Sequence, residues 1–224
     1  MDVPVITIDG PGGSGKGTIA ARAAAALGWR VLDSGALYRL VGLAVANSGA
    51  AFDDEPVVAE IARNLRADFA GGRVLLDGED VTDAIRSETA GNNASRVAAL
   101  PPVREALLEW QRSYAAAPGL VADGRDMGTV VFPAAPLKVF LDASAEERAK
   151  RRYNQLKEKG IDASLSDLAA EIRERDDRDR NRAVAPLKPA PDALVIDSTS
   201  LSIDEVLERV LRAARERIPG LASG

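Results

Sequence analysis

Gly10-Pro11-Gly12-Gly13-Ser14-Gly15-Lys16-Gly17-Thr18 constrains this chain more than any other stretch of it. The run before it, Val3-Pro4-Val5-Ile6-Thr7-Ile8-Asp9, is short, apolar and rich in β-branched residues, and reads as a buried strand. The run after it, through Ala20 to Leu27, reads as a helix. Strand, glycine loop, lysine and helix in this order make an anion cradle. Glycines let the backbone curl until its N–H groups face one point. The helix start adds partial positive charge, and Lys16 reaches the outer oxygens of a polyphosphate. An ordinary glycine-rich turn would need neither the lysine nor the helix.

The side-chain inventory narrows the chemistry. The 224 residues include no histidine and no cysteine. Ser-His-Asp triads, thiolate nucleophiles, imidazole zinc sites and disulfides are therefore excluded. Carboxylates, lysine, arginine, hydroxyls, backbone donors and hard metals remain. Phosphoryl transfer suits that set, because it needs mostly positioning and charge neutralisation. The length fits one to two domains with a real core, and 46% apolar with 28% charged residues is ordinary globular composition. No apolar run is long enough to span a bilayer, and no basic stretch followed by an apolar one marks a secretory signal. The default expectation is a cytoplasmic protein with no membrane partner. The net charge of -5 argues against a general nucleic-acid partner, which takes a basic excess.

Further strands are expected at Trp29 to Leu32, Leu120 to Asp123, Leu137 to Asp142 and Ala193 to Ile196. Helices are expected at Ala36 to Asn47, Pro56 to Leu65, Pro101 to about Ala116, Ser144 to Gly160 and Leu165 to about Arg182, with a last one opening at Ser202. This alternation predicts an α/β fold, a doubly wound five-stranded parallel sheet with helices on both faces. Residues 67–81 break the pattern. Asp68-Phe69-Ala70, Gly71-Gly72, Arg73-Val74-Leu75-Leu76 and Asp77-Gly78 read as a small inserted hairpin.

Ligands of such sheets bind at the carboxyl edge of the strands. Asp33-Ser34-Gly35-Ala36-Leu37-Tyr38-Arg39 and Asp123-Gly124-Arg125-Asp126-Met127-Gly128-Thr129 both lie there. Arg39, one turn into its helix, reaches an incoming phosphate or stands as a solvated arginine. Arg125 and Asp126, framed by glycines at a strand end, favour a site over loop decoration. Asp33, Asp123 and Asp142 end strands, where each is either a cap or a carboxylate near a metal.

The glycine loop departs from the strict pattern, which has Ser or Thr directly after the lysine; here Gly17 follows Lys16. In this it resembles the loop of adenylate kinase-like nucleoside monophosphate kinases. The resemblance implies Mg²⁺ held largely by ATP phosphates and water, with no direct protein ligand and with Asp33 and Asp123 in its outer surroundings. The two strand-end strings, together with Arg175-Asp176-Asp177-Arg178-Asp179-Arg180-Asn181-Arg182 and Val195-Ile196-Asp197-Ser198-Thr199, are similar to the bacterial cytidylate kinase family, in order from about Val5 to the last helix. That resemblance implies ATP on Gly10, Pro11, Gly12, Gly13, Ser14, Gly15, Lys16, Gly17 and Thr18. It places Ser34, Ser95, Arg104 and Asp126 around the nucleoside and Arg39, Arg125 and Arg182 around the acceptor phosphate. Arg175 and Asp179 come near the sugar and phosphate. Cytosine presents an amine donor, for which Asp126 is a natural acceptor, whereas the carbonyl of uracil would be repelled. By themselves Ser95 would be read as a helix cap and Arg104 as a surface helix residue.

Ala143 to Arg182 carries Arg148, Arg151, Arg152, Arg173, Arg175, Arg178, Arg180 and Arg182, many alternating with acids. Singly, each is as readily a solvated salt-bridge partner. As a cluster they fit a lid that excludes water and neutralises a migrating phosphoryl group, turning at Lys159-Gly160-Ile161-Asp162 between its helices as the resemblance implies. The expected organisation is one chain with a core at about 1–35, 116–143 and 183–224. The monophosphate-binding region with its insertion falls at about 36–115, and the lid at about 144–182. The expected activity is ATP-dependent phosphorylation of CMP and dCMP, with Mg²⁺ and with Lys16, Arg125, Arg182 and Arg152 as the catalytic set. A monomer is expected. A kinase for another small acceptor is the enzymatic alternative. A nucleotide-dependent switch would need a water-positioning residue, and no residue in the sequence fills that role.

Overall fold

A computed structural model describes residues 3–70 and 73–221. Compact units part between Leu32 and Asp33 and again between Ser113 and Tyr114. The two flanking stretches together make one unit, and Asp33–Ser113 makes the other.

The first unit is built on β1 (Val5–Asp9), β2 (Arg30–Asp33), β6 (Leu120–Gly124), β7 (Leu137–Asp142) and β8 (Leu194–Asp197), in the spatial order β2-β6-β1-β7-β8. β1 pairs in parallel with β6 and with β7, and β7 with β8. Every residue of β1 and β6 is buried, as unbroken apolar strands in the middle of a parallel sheet must be. On one face, Ile19, Ala20, Ala23 and Ala24 of α1 (Lys16–Leu27) and Val206, Val210, Ala213 and Ala214 of α8 (Ile203–Arg217) pack with Ile6, Ile8, Val121 and Leu137. α6 (Ala145–Glu158) and α7 (Leu165–Asn181) complete this unit. The α6–α7 joint holds the expected turn, with Gly160 at φ 71.

The central place of β1 positions the glycine loop. Asp9 stands opposite Gly124 of β6 and Phe140 of β7, so the loops leaving β1 and β6 emerge side by side at the carboxyl edge. Gly10 is obligatory there: a Cβ on it would lie 2.1 Å from the Leu141 carbonyl oxygen.

The second unit holds α2 (Ser34–Ser48), α3 (Glu55–Arg63), β3 (Ala67–Ala70), β4 (Arg73–Leu76), β5 (Glu79–Asp80), α4 (Glu88–Val97) and α5 (Pro101–Ser113). Its main core joins Leu37, Val41, Val45, Val58, Ala94, Val97, Val103 and Leu107. The expected hairpin is two strands of a three-stranded antiparallel sheet, β3-β4-β5; its Gly71-Gly72 turn lies outside the described residues. Leu76 anchors that sheet on Ala36, Leu40 and Ile85.

Candidate active site

Six helices here begin with a side chain closing the first turn. Asp33, Asp54, Ser87, Ser144, Ser164 and Ser202 accept from N–H groups of α2, α3, α4, α6, α7 and α8. α1 is different. It starts on Gly15, left-handed at φ 92 and without a side chain, and it has no acid in its first turn. Its donors and partial positive charge are left for an anion. Lys16 Nζ donates to the Pro11 carbonyl at 3.2 Å and lies 3.9 Å from Asp123 Oδ1. The other Asp123 oxygen would stand 3.1 Å from a Cβ on Gly17. A carboxylate thus borders the loop at the residue where stricter versions carry a hydroxyl. That donor set suits a hydrated Mg²⁺, which keeps most of its waters. Among the described residues no cluster of three or more acids forms a metal cage.

Arg175 and Arg125 both come up to this loop at Gly12. Arg175 Nη1 and Arg125 Nη2 lie 3.5 and 3.6 Å from where a Cβ on Gly12 would stand. Arg125 Nε donates to Asp179 Oδ2 at 3.1 Å, which fixes the guanidinium that follows β6 to α7. Arg182 follows the last residue of α7, is 8% exposed, and donates from Nε to the Ala185 carbonyl at 2.5 Å. Arg152 is half-buried and donates to Gln155 of its own helix. The remaining cluster divides. Arg173 and Arg178 form outer pairs with Glu146 and Glu174, while Arg148 is buried with Asp176.

The turn presenting Arg125 and Asp126 is held from beneath by Asp9, a residue that the sequence reading passed over. Its two oxygens each accept a 2.8 Å bond, from Met127 N and Gly128 N. Asp126, 2% exposed, precedes a π-helical turn at Met127–Val131. Burial, helped by Asp126 and Asp123, pushes the Asp9 carboxyl up to about 7, against the two N–H bonds that favour its charge. An acid beside Gly10 at a strand end, like Asp33, Asp123 and Asp142, was the available signal.

The sign of that shift is testable. Asp9 keeps its proton in the folded protein after it has lost it in the unfolded chain. Its contribution is therefore fully favourable below about pH 4, declines as pH rises from about 4 to 7, and is flat above. Asp9→Asn should gain stability relative to the parent across that window, by on the order of a few kcal/mol. Melting curves of both proteins at several pH values check this. A difference independent of pH would mean that Asp9 titrates normally.

The second unit carries the other expected residues. Asp33 caps α2 through Ala36 N at 2.9 Å, and Ser34, 3% exposed, opens that helix. Arg39 is half-buried on it. Ser95 is no cap: it lies inside α4, 4% exposed, and Ser87 caps that helix. Arg104 is no surface residue either. It is 8% exposed, donates to the Ala98 carbonyl at 3.1 Å, and sits 5.5 Å above the Tyr38 ring centre.

The family model described as cytidylate kinase matches residues 6–216. A cytidylate kinase of Stutzerimonas stutzeri is 61% identical over 221 residues, covering 96% of each chain. One from Aeromonas hydrophila is 58% identical over 219 residues, covering 96% of this chain and 95% of its own. In fold alone, the crystal structure of an uncharacterized protein from Eubacterium ventriosum is similar, with a TM-score of 0.51 at 12% identity over 96% of this chain and 99% of that one. No described helix is long and apolar enough to cross a membrane.

Proposed function

The chain belongs to the cytidylate kinase family, and we propose from that premise how it moves the γ-phosphoryl group of ATP onto CMP or dCMP. The observation that supports the reading best is the meeting of Arg125 and Arg175 over Gly12, with Arg125 clamped by Asp179.

The Gly10–Thr18 backbone and the uncapped start of α1 take the ATP phosphates, and Lys16 takes the outer ones. Asp123 would hold Mg²⁺ through water, and the ion would supply neutralisation of the phosphate charge. An oxygen of the acceptor phosphate attacks the γ-phosphorus in line, and the bond from that phosphorus to the bridging oxygen breaks to release ADP. The acceptor phosphate is already an anion, so no general base is needed, in keeping with a chain that lacks histidine. Lys16, Arg125, Arg182 and Arg152 spread the transferring charge, and Arg175 and Asp179 serve the sugar and phosphate of the acceptor. Asp126 accepts from the cytosine amine. Arg39 serves the acceptor phosphate, and Ser34, Ser95 and Arg104 serve the nucleoside.

A panel of monophosphates with ATP, followed by ADP release, tests acceptor choice. CMP and dCMP should turn over far faster than AMP or GMP, with UMP poor. Asp126→Asn should narrow the gap between CMP and UMP, because an amide can also donate to a carbonyl. AMP as best acceptor, or an unchanged gap in the variant, would remove Asp126 from base reading.

A further inference from the structure

A loop that turns its N–H groups toward an anion turns its carbonyls the other way, where they need donors from the protein. Three of these carbonyls find them on side chains. Pro11 takes Lys16. Ser14 takes Arg151 Nη1 at 3.5 Å and Ser198 Oγ at 3.3 Å. Gly12 takes Arg148 Nη1 at 3.0 Å. Arg148 is 2% exposed and is fixed on every side. Nε donates to the Ala143 carbonyl at 2.9 Å, Nη1 also to Asp176 Oδ1 at 3.0 Å, and Nη2 to Asp176 Oδ2. Its stem lies under the loop: a Cβ on Gly13, where φ is 79, would touch Arg148 Cβ at 3.4 Å.

We propose that Arg148 is a positioning residue for phosphoryl transfer, holding the phosphate loop by the Gly12 carbonyl and tying it to Asp176 on α7. Two physical consequences give it that role. A trans peptide points its C=O and N–H in opposite directions. A buried guanidinium on the Gly12 oxygen therefore polarises the same peptide's N–H, that of Gly13, as a donor to phosphate. Asp176 also stands on α7 next to Arg175 and three residues before Asp179, the partner of Arg125. One ion pair thus sets the loop and the helix that brings arginine to it. Stability alone does not call for this pair. Buried ion pairs are often replaced by apolar pairs of similar volume without loss. An apolar pair cannot supply the Gly12 hydrogen bond.

The proposal rests on the loop being the ATP site, and the test separates the two. Arg148→Met with Asp176→Leu removes both charges and keeps volume; Arg148→Lys keeps one charge without the planar fork. Melting temperatures are measured together with steady-state kinetics, varying ATP and CMP separately. The double variant is expected to melt near the parent while kcat/KM for ATP falls about 10- to 100-fold, the loss of one charge-assisted hydrogen bond. Arg148→Lys is expected to fold and to lose at least about tenfold, which carries the test should the double variant not fold. Parent-like ATP kinetics in either folded variant would overturn the proposal and leave Arg148 as packing. Lys16→Ala is the control. If it too kept parent ATP kinetics, the loop would not be the ATP site and both readings would fall. If it collapsed while the Arg148 variants stayed normal, only the positioning role would fall.

Discussion

Lys16→Ala should lower turnover on the order of 100- to 1,000-fold, the scale on which a single group aimed at developing charge contributes, while the fold survives. The structural side of that expectation follows from the contacts. Lys16 Nζ supplies one bond to the Pro11 carbonyl, which also receives Ser14 N at 3.5 Å. Losing it costs about 1 kcal/mol, and leaving the buried Asp123 without its neighbouring ammonium adds to that cost. The kinetic side is larger because of Asp123, 3.9 Å away. Without the ammonium, that carboxylate faces the incoming phosphates with less compensation, so charge is lost twice over. Lys16→Met keeps the stem and should match the alanine variant in turnover. A circular dichroism spectrum like that of the parent, together with collapsed turnover, is the expected pair. Unchanged turnover would remove the loop from the active site.

What the sequence made legible follows from how local each signal is. Short, mostly apolar runs marked all the strands of the large sheet. Sequence periodicity holds nothing about order, so the insertion of β6 between β1 and β2 appears only in the structure. α4 was missed for a physical reason. Glu88–Val97 contains Thr89, Gly91, Asn92, Asn93 and Ser95, all poor helix formers. It is helical because it packs on α2 so closely that a Cβ on Gly42 would lie 2.9 Å from Asn93 Cβ. Tertiary contact overrides propensity there, and Ser95 with it became a buried helical residue. The arginines were ambiguous for a related reason. Arg151 with Glu147 and Arg178 with Glu174 are i,i+4 pairs that sequence spacing can find. Arg148 with Asp176 and Arg125 with Asp179 span 28 and 54 residues, and nothing local separates them from the surface pairs.

Arg182→Lys should cut kcat on the order of 100-fold or more although the charge is kept. A guanidinium grips phosphate oxygens in bidentate fashion and a lysine does not. Charge on those oxygens shifts during transfer, so the contact strengthens as the barrier is climbed. Loss of a comparable arginine contact in phosphoryl transfer is worth a few kcal/mol, on the order of 100-fold in rate. Because the contact belongs to the transition state, kcat and kcat/KM should fall together, with KM for CMP little changed. The fold offers a competing role. Arg182 follows α7 as its C-cap, and its Nε holds the Ala185 carbonyl, where the chain turns with φ 50. If that were its whole contribution, lysine would cost about 1 kcal/mol of stability and nothing in rate. Steady-state kinetics and a melting curve on one preparation separate the two. The expected result is a large loss of kcat with a melting temperature a few degrees lower at most. A parent-like kcat with a lowered melting temperature would assign Arg182 to the turn, and would leave Arg125 and Arg152 as the arginines that spread the transferring charge.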